Sequence, residues 1–129
     1  MSKGHILVIE DNMDNYELVR FYVERDGYDT FVALTGPEGV QAAIKQMPDL
    51  ILVDLSLPIM DGWDVTRRIK ADPRTTHIPM IAVTARTLPV DRKRALEAGC
   101  DEYIPKPIDF TALLQAINRL MQKVNRAKE

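Results

Sequence analysis

DLILVDLSLPIMDG, residues 49–62, is the stretch that decides the fold of this chain. Four large apolar residues, Leu50 to Val53, run directly into the carboxylate of Asp54. A strand that is apolar on both faces lies inside a parallel sheet covered by helices, and its carboxyl end is where such sheets bind ligands. Pro58 and Asp61-Gly62 then indicate a loop and the start of a helix. The stretch therefore predicts a carboxylate held on a rigid strand end beside a surface loop.

The composition predicts one cytoplasmic domain spanning residues 1–129, with a core from about residue 3 to 123. Hydrophobic residues make up 46% of the 129 residues, enough for one core at this length. The net charge of −2 argues against a general nucleic-acid or membrane-surface binder. The single cysteine, Cys100, excludes an internal disulfide and suits a reducing compartment. The N-terminus has no apolar run of signal-peptide or membrane-span length, and we expect the polar tail from Gln122 to Glu129 to fray.

Strand and helix patterns alternate five times along the chain. Short apolar runs predict five strands: His5–Ile9, Thr30–Ala33, Leu50–Asp54, Pro79–Thr84 and Glu102–Ile104. Helical spacing and capping residues predict five helices: Asn12 to Arg25; a second after the capping box Thr35–Glu38, with the stripe Val40, Ala43, Ile44 and Met47; Asp61 or Gly62 to about Ala71; about Pro89–Ala98; and a last one from Asp109. This alternation predicts an α/β fold with a parallel sheet and helices on both faces.

The doubly wound strand order 2-1-3-4-5, the flavodoxin-like arrangement, places the first strand beside the third. Five polar residues then follow strand ends and converge on one edge of the sheet: Glu10, Asp11, Asp54, Thr84 and Lys106. A like-charge carboxylate pair at about 4 Å costs about 4 kcal/mol near a protein surface. Such a cluster therefore holds protons or recruits a cation, and oxygen ligands with room for water favour Mg²⁺ over zinc.

A metal-held carboxylate beside a lysine and a hydroxyl suits phosphoryl chemistry. The metal and Lys106 would screen the phosphoryl oxygens while Asp54 attacks as the nucleophile. The expected product is an aspartyl phosphate on Asp54.

These residues resemble the receiver domain of the two-component response-regulator family, of the chemotaxis-regulator type. The resemblance covers about Lys3 to Lys123 and rests on four motifs: Glu10-Asp11-Asn12, DLSLPIMDG around Asp54, Thr84-Ala85, and YIPKP from Tyr103. It implies a phosphoprotein of a phosphorelay that binds Mg²⁺. In this resemblance Asp54 is the phospho-acceptor, and Asp11, Asp54 and the backbone carbonyl of Ser56 are metal ligands. Glu10 would hold a metal-bound water.

The resemblance also assigns roles to residues on the fourth and fifth strands. Thr84 would donate its hydroxyl to the phosphoryl group, and Lys106 would pair with a phosphoryl oxygen. The Lys106–Pro107 bond would be cis, as in relatives. Tyr103 matches the aromatic switch position, which turns inward when Thr84 moves toward the phosphate. Phosphorylation would then bias a surface made of the fourth helix, the fifth strand and the last helix.

The resemblance implies a stand-alone receiver that signals through partners. A sensor histidine kinase or histidine phosphotransfer protein would donate the phosphoryl group, and a downstream protein would bind that helix-strand-helix surface. We expect no turnover enzyme, no direct contact with nucleic acid or membrane, and either a monomer or a phosphorylation-dependent dimer.

Other interpretations of the same residues stay open. Singly, Asp54 also fits a solvated strand end and Tyr103 a static half-buried aromatic, while Trp63 fits core packing. Arg86 and residues 92–94 fit a solvated face or a basic rim on the partner surface. For the whole chain, the alternatives are a constitutive interaction module without phosphorylation, a metal-dependent phosphatase and a flavin carrier. The haloacid-dehalogenase type of phosphatase needs an aspartate where Ser56 stands, and acidic residues after the first strand would repel a flavin phosphate.

Overall fold

Five strands and five helices alternate along the chain in the computed structural model, which describes residues 2–128. The strands are β1 (His5–Ile9), β2 (Asp29–Ala33), β3 (Leu50–Val53), β4 (Met80–Thr84) and β5 (Glu102–Pro105). The helices are α1 (Met13–Arg25), α2 (Gly36–Gln46), α3 (Gly62–Ala71), α4 (Pro89–Ala98) and α5 (Phe110–Lys128). The strands form one parallel sheet in the order β2-β1-β3-β4-β5. The predicted fold class and strand order are confirmed.

The central strand β3 is apolar throughout because both of its faces are covered. Leu50 and Leu52 belong to the core on one side of the sheet, which includes side chains of α1 and α5. Ile51 and Val53 belong to the core on the other side, which includes side chains of α2, α3 and α4. All four residues of β3 are at most 1% exposed. Burial on both faces makes β3 a rigid support for the residue that follows it.

Short side chains cap the helices that begin beside the carboxyl edge of the sheet. The Asn12 side chain accepts a hydrogen bond from the Asn15 N–H, and Asp61 does the same for the Asp64 N–H. Thr35 caps α2 by accepting from the Glu38 N–H, as predicted. The Glu38 side chain, however, accepts from the N–H of Leu34 rather than that of Thr35, so the reciprocal half of the predicted capping box is not made.

Two expectations about helix ends were wrong. Met47 is not part of the apolar stripe of α2: it follows the helix with a φ of 48° and is 45% exposed. Pro48 explains this, because a residue before proline is disfavoured in the helical region. The tail expected to fray from Gln122 is helical to Lys128, since no glycine or proline interrupts it and the buried Met121 anchors its start. Glu129 lies outside the described residues. Within the described part of the chain, no helix has the length and apolar character to cross a bilayer.

Candidate functional site

Three carboxylates meet where β1 and β3 end. Ile9 pairs with Val53 in the sheet, and the Asp54 N–H extends the ladder by donating to the Ile9 carbonyl at 3.0 Å. The next residues, Glu10, Asp11 and Asp54, each bring one carboxylate oxygen to within 4.8 Å of the others. Glu10 is 5% exposed and Asp54 8% exposed, whereas Asp11 is exposed. The cluster is therefore half enclosed and open on the side of Asp11.

Lys106 bridges the two buried carboxylates. Its Nζ donates to Glu10 Oε1 at 2.8 Å and to Asp54 Oδ2 at 3.0 Å. Burial alone would lower the pKa of Lys106, but the hydrogen bonds and charges of Glu10 and Asp54 outweigh burial and raise it. Lys106 is thus a fixed positive charge beside Asp54.

The surroundings of Glu10 raise its pKa above the ordinary value. Its burial raises the pKa of the carboxyl group, the charge of Asp54 raises it further, and the contact with Lys106 only partly offsets this. The remaining Glu10 oxygen accepts from the Asn12 N–H at 3.2 Å. The contact with Lys106 therefore does not fully offset the burial of the Glu10 carboxylate.

The loop after β3 fixes the orientation of Asp54. The N–H of Ser56 donates to Asp54 Oδ1 at 2.9 Å, so both carboxylate oxygens of Asp54 have partners. The first residue of α3, Gly62, lies against the backbone of Asp54: a Cβ added at Gly62 would sit 2.4 Å from the Asp54 carbonyl oxygen. Glycine at this position therefore lets α3 begin directly beside the strand end.

Thr84 ends β4 next to the strand that leads to Lys106. The Lys106 N–H donates to the Thr84 carbonyl at 2.8 Å, and the Lys106–Pro107 bond is cis, as expected. The Thr84 side chain is fully buried, and its hydroxyl oxygen accepts from the Arg86 N–H at 3.2 Å. Thr84 thus lies at the same edge of the sheet as the cluster, and its hydroxyl is engaged by the loop between β4 and α4.

Tyr103 is half-buried and packs on the core that contains α3 and α4. Its hydroxyl oxygen is buried and has no hydrogen-bond partner among the described residues. Burial raises the pKa of this phenol, and the nearby Asp91 raises it further. The ring therefore occupies an inward position in this structure, and its role as a switch stays a prediction.

Sequence reasoning missed one contact near this edge. Trp63 is 2% exposed, as expected for packing, but it packs beneath two arginines that we assigned to a solvated face or basic rim. The guanidinium carbons of Arg86 and Arg94 lie 4.3 and 4.1 Å from the centroid of the Trp63 ring. No local pattern signals this contact, because the ring and the two cations come from different elements.

The cluster suits a hard divalent cation. All three side chains offer carboxylate oxygens, which Mg²⁺ prefers, and no His joins the described cluster. Asp11 faces the open side, where water can complete the coordination that Mg²⁺ retains in proteins. The donor chemistry and the half-enclosed geometry both fit Mg²⁺.

A doubly wound sheet with an acidic cluster and a lysine at its carboxyl edge defines a flavodoxin-like α/β domain whose edge has oxygen donors suited to a cation. The family model described as "Response regulator receiver domain" matches residues 6–118, and the chain belongs to this family.

Known proteins similar to this chain come from the same family. The chain is 39% identical over 117 residues to the polar-differentiation response regulator DivK of Brucella ovis, covering 91% of this chain and 94% of that protein. The receiver domain of sensor histidine kinase PA1611 from Pseudomonas aeruginosa PAO1 is 34% identical, with a TM-score of 0.86 and coverage of 92% of this chain and 98% of that one. That crystal structure has a magnesium ion coordinated in its active-site cleft. The signal receiver domain of a histidine kinase from Syntrophus aciditrophicus is 36% identical, with a TM-score of 0.89 and coverage of 95% and 93%.

Proposed function

We propose that the chain is a phospho-accepting switch of a two-component pathway, with Asp54 as the Mg²⁺-dependent acceptor. The observation that carries this proposal is the placement of Asp54. Its carboxylate follows a fully buried strand, lies 3.0 Å from the Lys106 ammonium and shares a cluster with Glu10 and Asp11. If Asp54 served only packing, it would need neither a lysine nor two further carboxylates beside it at the carboxyl edge of a parallel sheet.

In this proposal Asp54 attacks phosphorus as a nucleophile. A bond forms between a carboxylate oxygen and phosphorus while the bond from phosphorus to the donor's histidine nitrogen breaks, and an acyl phosphate results. The Ser56 N–H holds Oδ1 of Asp54, which fixes the carboxylate plane, and Lys106 is placed to follow the negative charge onto the phosphoryl oxygens. Mg²⁺, held by Asp11, Asp54 and the Ser56 carbonyl with Glu10 next to its hydration shell, would neutralise charge on the transferred group.

The response to phosphorylation runs through Thr84. Its hydroxyl would leave the Arg86 N–H and donate to the phosphoryl group, and the Tyr103 ring, already inward in this structure, would be held inward as the β4–α4 loop moves. The surface formed by α4, β5 and α5 would then favour a downstream protein. The buried, unpartnered hydroxyl of Tyr103 supports a two-position role for the ring, because its desolvation destabilises the inward position relative to one in which water solvates the hydroxyl.

The proposed phosphodonor is a sensor histidine kinase or a histidine phosphotransfer protein. Similarity to receivers of histidine kinases and to a DivK response regulator supports this class of donor. Within this proposal the chain is a single signalling domain of the cytoplasm, without substrate turnover beyond its own phosphorylation and dephosphorylation. It acts as a monomer or as a phosphorylation-dependent dimer.

The sensitivity of the phosphorylated residue to hydroxylamine tests the proposal. After incubation with ³²P-labelled acetyl phosphate and Mg²⁺, neutral hydroxylamine should release the label, because it cleaves acyl phosphates and leaves serine and threonine phosphate esters intact. The Asp64→Asn variant, altered at a surface carboxylate paired with Arg67, should be labelled like the wild type. Hydroxylamine-resistant label would contradict phosphorylation of Asp54.

A further inference from the structure

Trp63 connects three elements around the β4–α4 loop. The indole belongs to the first turn of α3 and is almost fully buried. Arg86 reaches it from the loop after β4, and Arg94 reaches it from α4, with guanidinium carbons 4.3 and 4.1 Å from the ring centroid. Both arginines are exposed residues, so they cover an aromatic side chain that would otherwise meet solvent.

Arg86 differs from Arg94 because its backbone also contacts the candidate site. The Arg86 N–H donates to the Thr84 hydroxyl oxygen at 3.2 Å. The Arg86 side chain also lies 3.8 Å from Asp91, whose other oxygen accepts from the Leu88 N–H at the start of α4. Arg86 therefore joins the Thr84 hydroxyl, the Trp63 ring and the first turn of α4.

We propose that Arg86 is a positioning residue that holds Thr84 in its unphosphorylated arrangement by stacking on Trp63. While the guanidinium covers the ring, the Arg86 N–H stays within reach of the Thr84 hydroxyl. When Thr84 moves toward a phosphoryl group on Asp54, the loop carries Arg86 away from the ring, whereas Arg94 remains because the adjacent Ala95 is fully buried in the core that includes α3. This inference rests on the proposed function, since it requires a phosphoryl group at Asp54.

The strength of the cation–π contact between Arg86 and Trp63 suits a reversible positioning role. A cation over an indole contributes enough to bias a loop between two arrangements without locking it. The movement would also change the surroundings of Trp63 directly. Because Trp63 is the one tryptophan of the chain, all tryptophan emission comes from this ring, and comparison of Arg86 and Arg94 variants separates the two cation contacts.

The first test follows Trp63 emission before and after addition of Mg²⁺ with beryllofluoride, a mimic of the acyl phosphate. In the wild type we expect a change in emission. The Arg86→Ala variant should show altered emission before the addition and little further change after it. The matched control Arg94→Ala, which removes the other cation, should alter the starting emission but keep the beryllofluoride-dependent change. A full beryllofluoride-dependent change in Arg86→Ala would overturn the inference.

The second test measures phosphorylation rates with acetyl phosphate and Mg²⁺. Loss of the stacking contact should free Thr84, so Arg86→Ala should be phosphorylated about fivefold faster, which corresponds to about 1 kcal/mol. Arg86→Lys keeps the cation and should restore part of the wild-type rate. Far-UV circular dichroism of each variant checks that it is folded. An Arg86→Ala rate equal to or below that of the folded wild type would overturn the inference.

Mass spectrometry separates failure of this inference from failure of the proposed function. A phosphoryl mass gain in the wild type without a change in Trp63 emission would overturn the Arg86 device and leave Asp54 as the acceptor. No mass gain in the wild type with any phosphodonor, including phosphorylated histidine kinases, would overturn both.

Discussion

Lys106 is the residue on which the candidate site depends most. It is the cation that lies within 3.0 Å of both buried carboxylates, and its side chain is 19% exposed. Removing one partner from a buried ion pair costs more than the pair contributes, because the remaining charge stays desolvated. Here two carboxylates, Glu10 and Asp54, would remain and would repel each other.

Replacing Lys106 with Met should lower the free energy of unfolding by about 1–3 kcal/mol at neutral pH, less than for a fully buried pair because water screens part of the interaction. Mg²⁺ should restore part of this loss, since it would compensate the same carboxylates. Urea unfolding with and without Mg²⁺ measures both effects. Lys45→Met, at an exposed position on α2, is the control and should be near neutral. A Lys106→Met variant as stable as the wild type without Mg²⁺ would contradict the geometry.

Cys100, which lies away from the candidate site, makes the free energy of unfolding depend on pH. Burial raises the pKa of the Cys100 thiol to about 11 from an ordinary value of 9.0. Between pH 9 and pH 11 the folded protein keeps the thiol proton that the unfolded chain has lost. The contribution of the Cys100 thiol to the free energy of unfolding is therefore complete below pH 9 and is lost between pH 9 and pH 11. Relative to Cys100→Ala, the wild type should lose about 3 kcal/mol of unfolding free energy across this range. Urea unfolding of both proteins at several pH values measures this difference, and a constant difference would contradict it.

At the scale of the element, α3 must begin directly against the strand end that carries Asp54. Asp61 caps the helix, and Gly62 provides the close approach, since a Cβ there would also lie 2.6 Å from the Leu55 Cα. Both clashing groups are backbone atoms and cannot rotate away. The start of α3 and the orientation of the Asp54 carboxylate are therefore coupled.

Substituting Gly62 with Ala should reduce the free energy of unfolding by about 2–4 kcal/mol, because backbone must shift to admit the methyl group. It should also weaken Mg²⁺ binding, since the Asp54 backbone is the part displaced. Chemical unfolding and a Mg²⁺ titration measure the two effects. Gln41→Ala, on the exposed face of α2, is the control. Wild-type Mg²⁺ affinity in Gly62→Ala would show that the helix start and the carboxylate are independent.

At the scale of the whole molecule, the sequence was sufficient for the fold because its signals are redundant. The apolar run Leu50–Val53 requires cover on both faces, and five strand-helix units supply it in a strand order that pairs β1 with β3 and so brings Glu10 and Asp54 together. The acidic cluster follows from that order, so its members could be named from strand ends. The cluster geometry agrees with this, whereas the chemical role of each member stays a prediction.

Features that arise between distant elements could not be predicted. The contact of Arg86 and Arg94 with Trp63 depends on how α4 packs beside α3, and no local pattern encodes it. The helix α2 ends at Gln46 because Pro48 follows two residues later. Pro48 is a local stop signal, but the helical spacing of the apolar residues favoured including Met47 in the stripe. Sequence periodicity thus predicted elements and their order well, but it did not predict side-chain contacts across elements.

Intact-mass measurement tests the central claim most directly. The protein is incubated with acetyl phosphate and Mg²⁺, with and without EDTA, alongside Asp54→Asn and the matched control Asp64→Asn. We predict a gain of one phosphoryl group in the wild type and in Asp64→Asn, lost with EDTA and absent in Asp54→Asn. A phosphoryl group that persists in Asp54→Asn, or that forms equally well in EDTA, would contradict the assignment of Asp54 as a Mg²⁺-dependent acceptor.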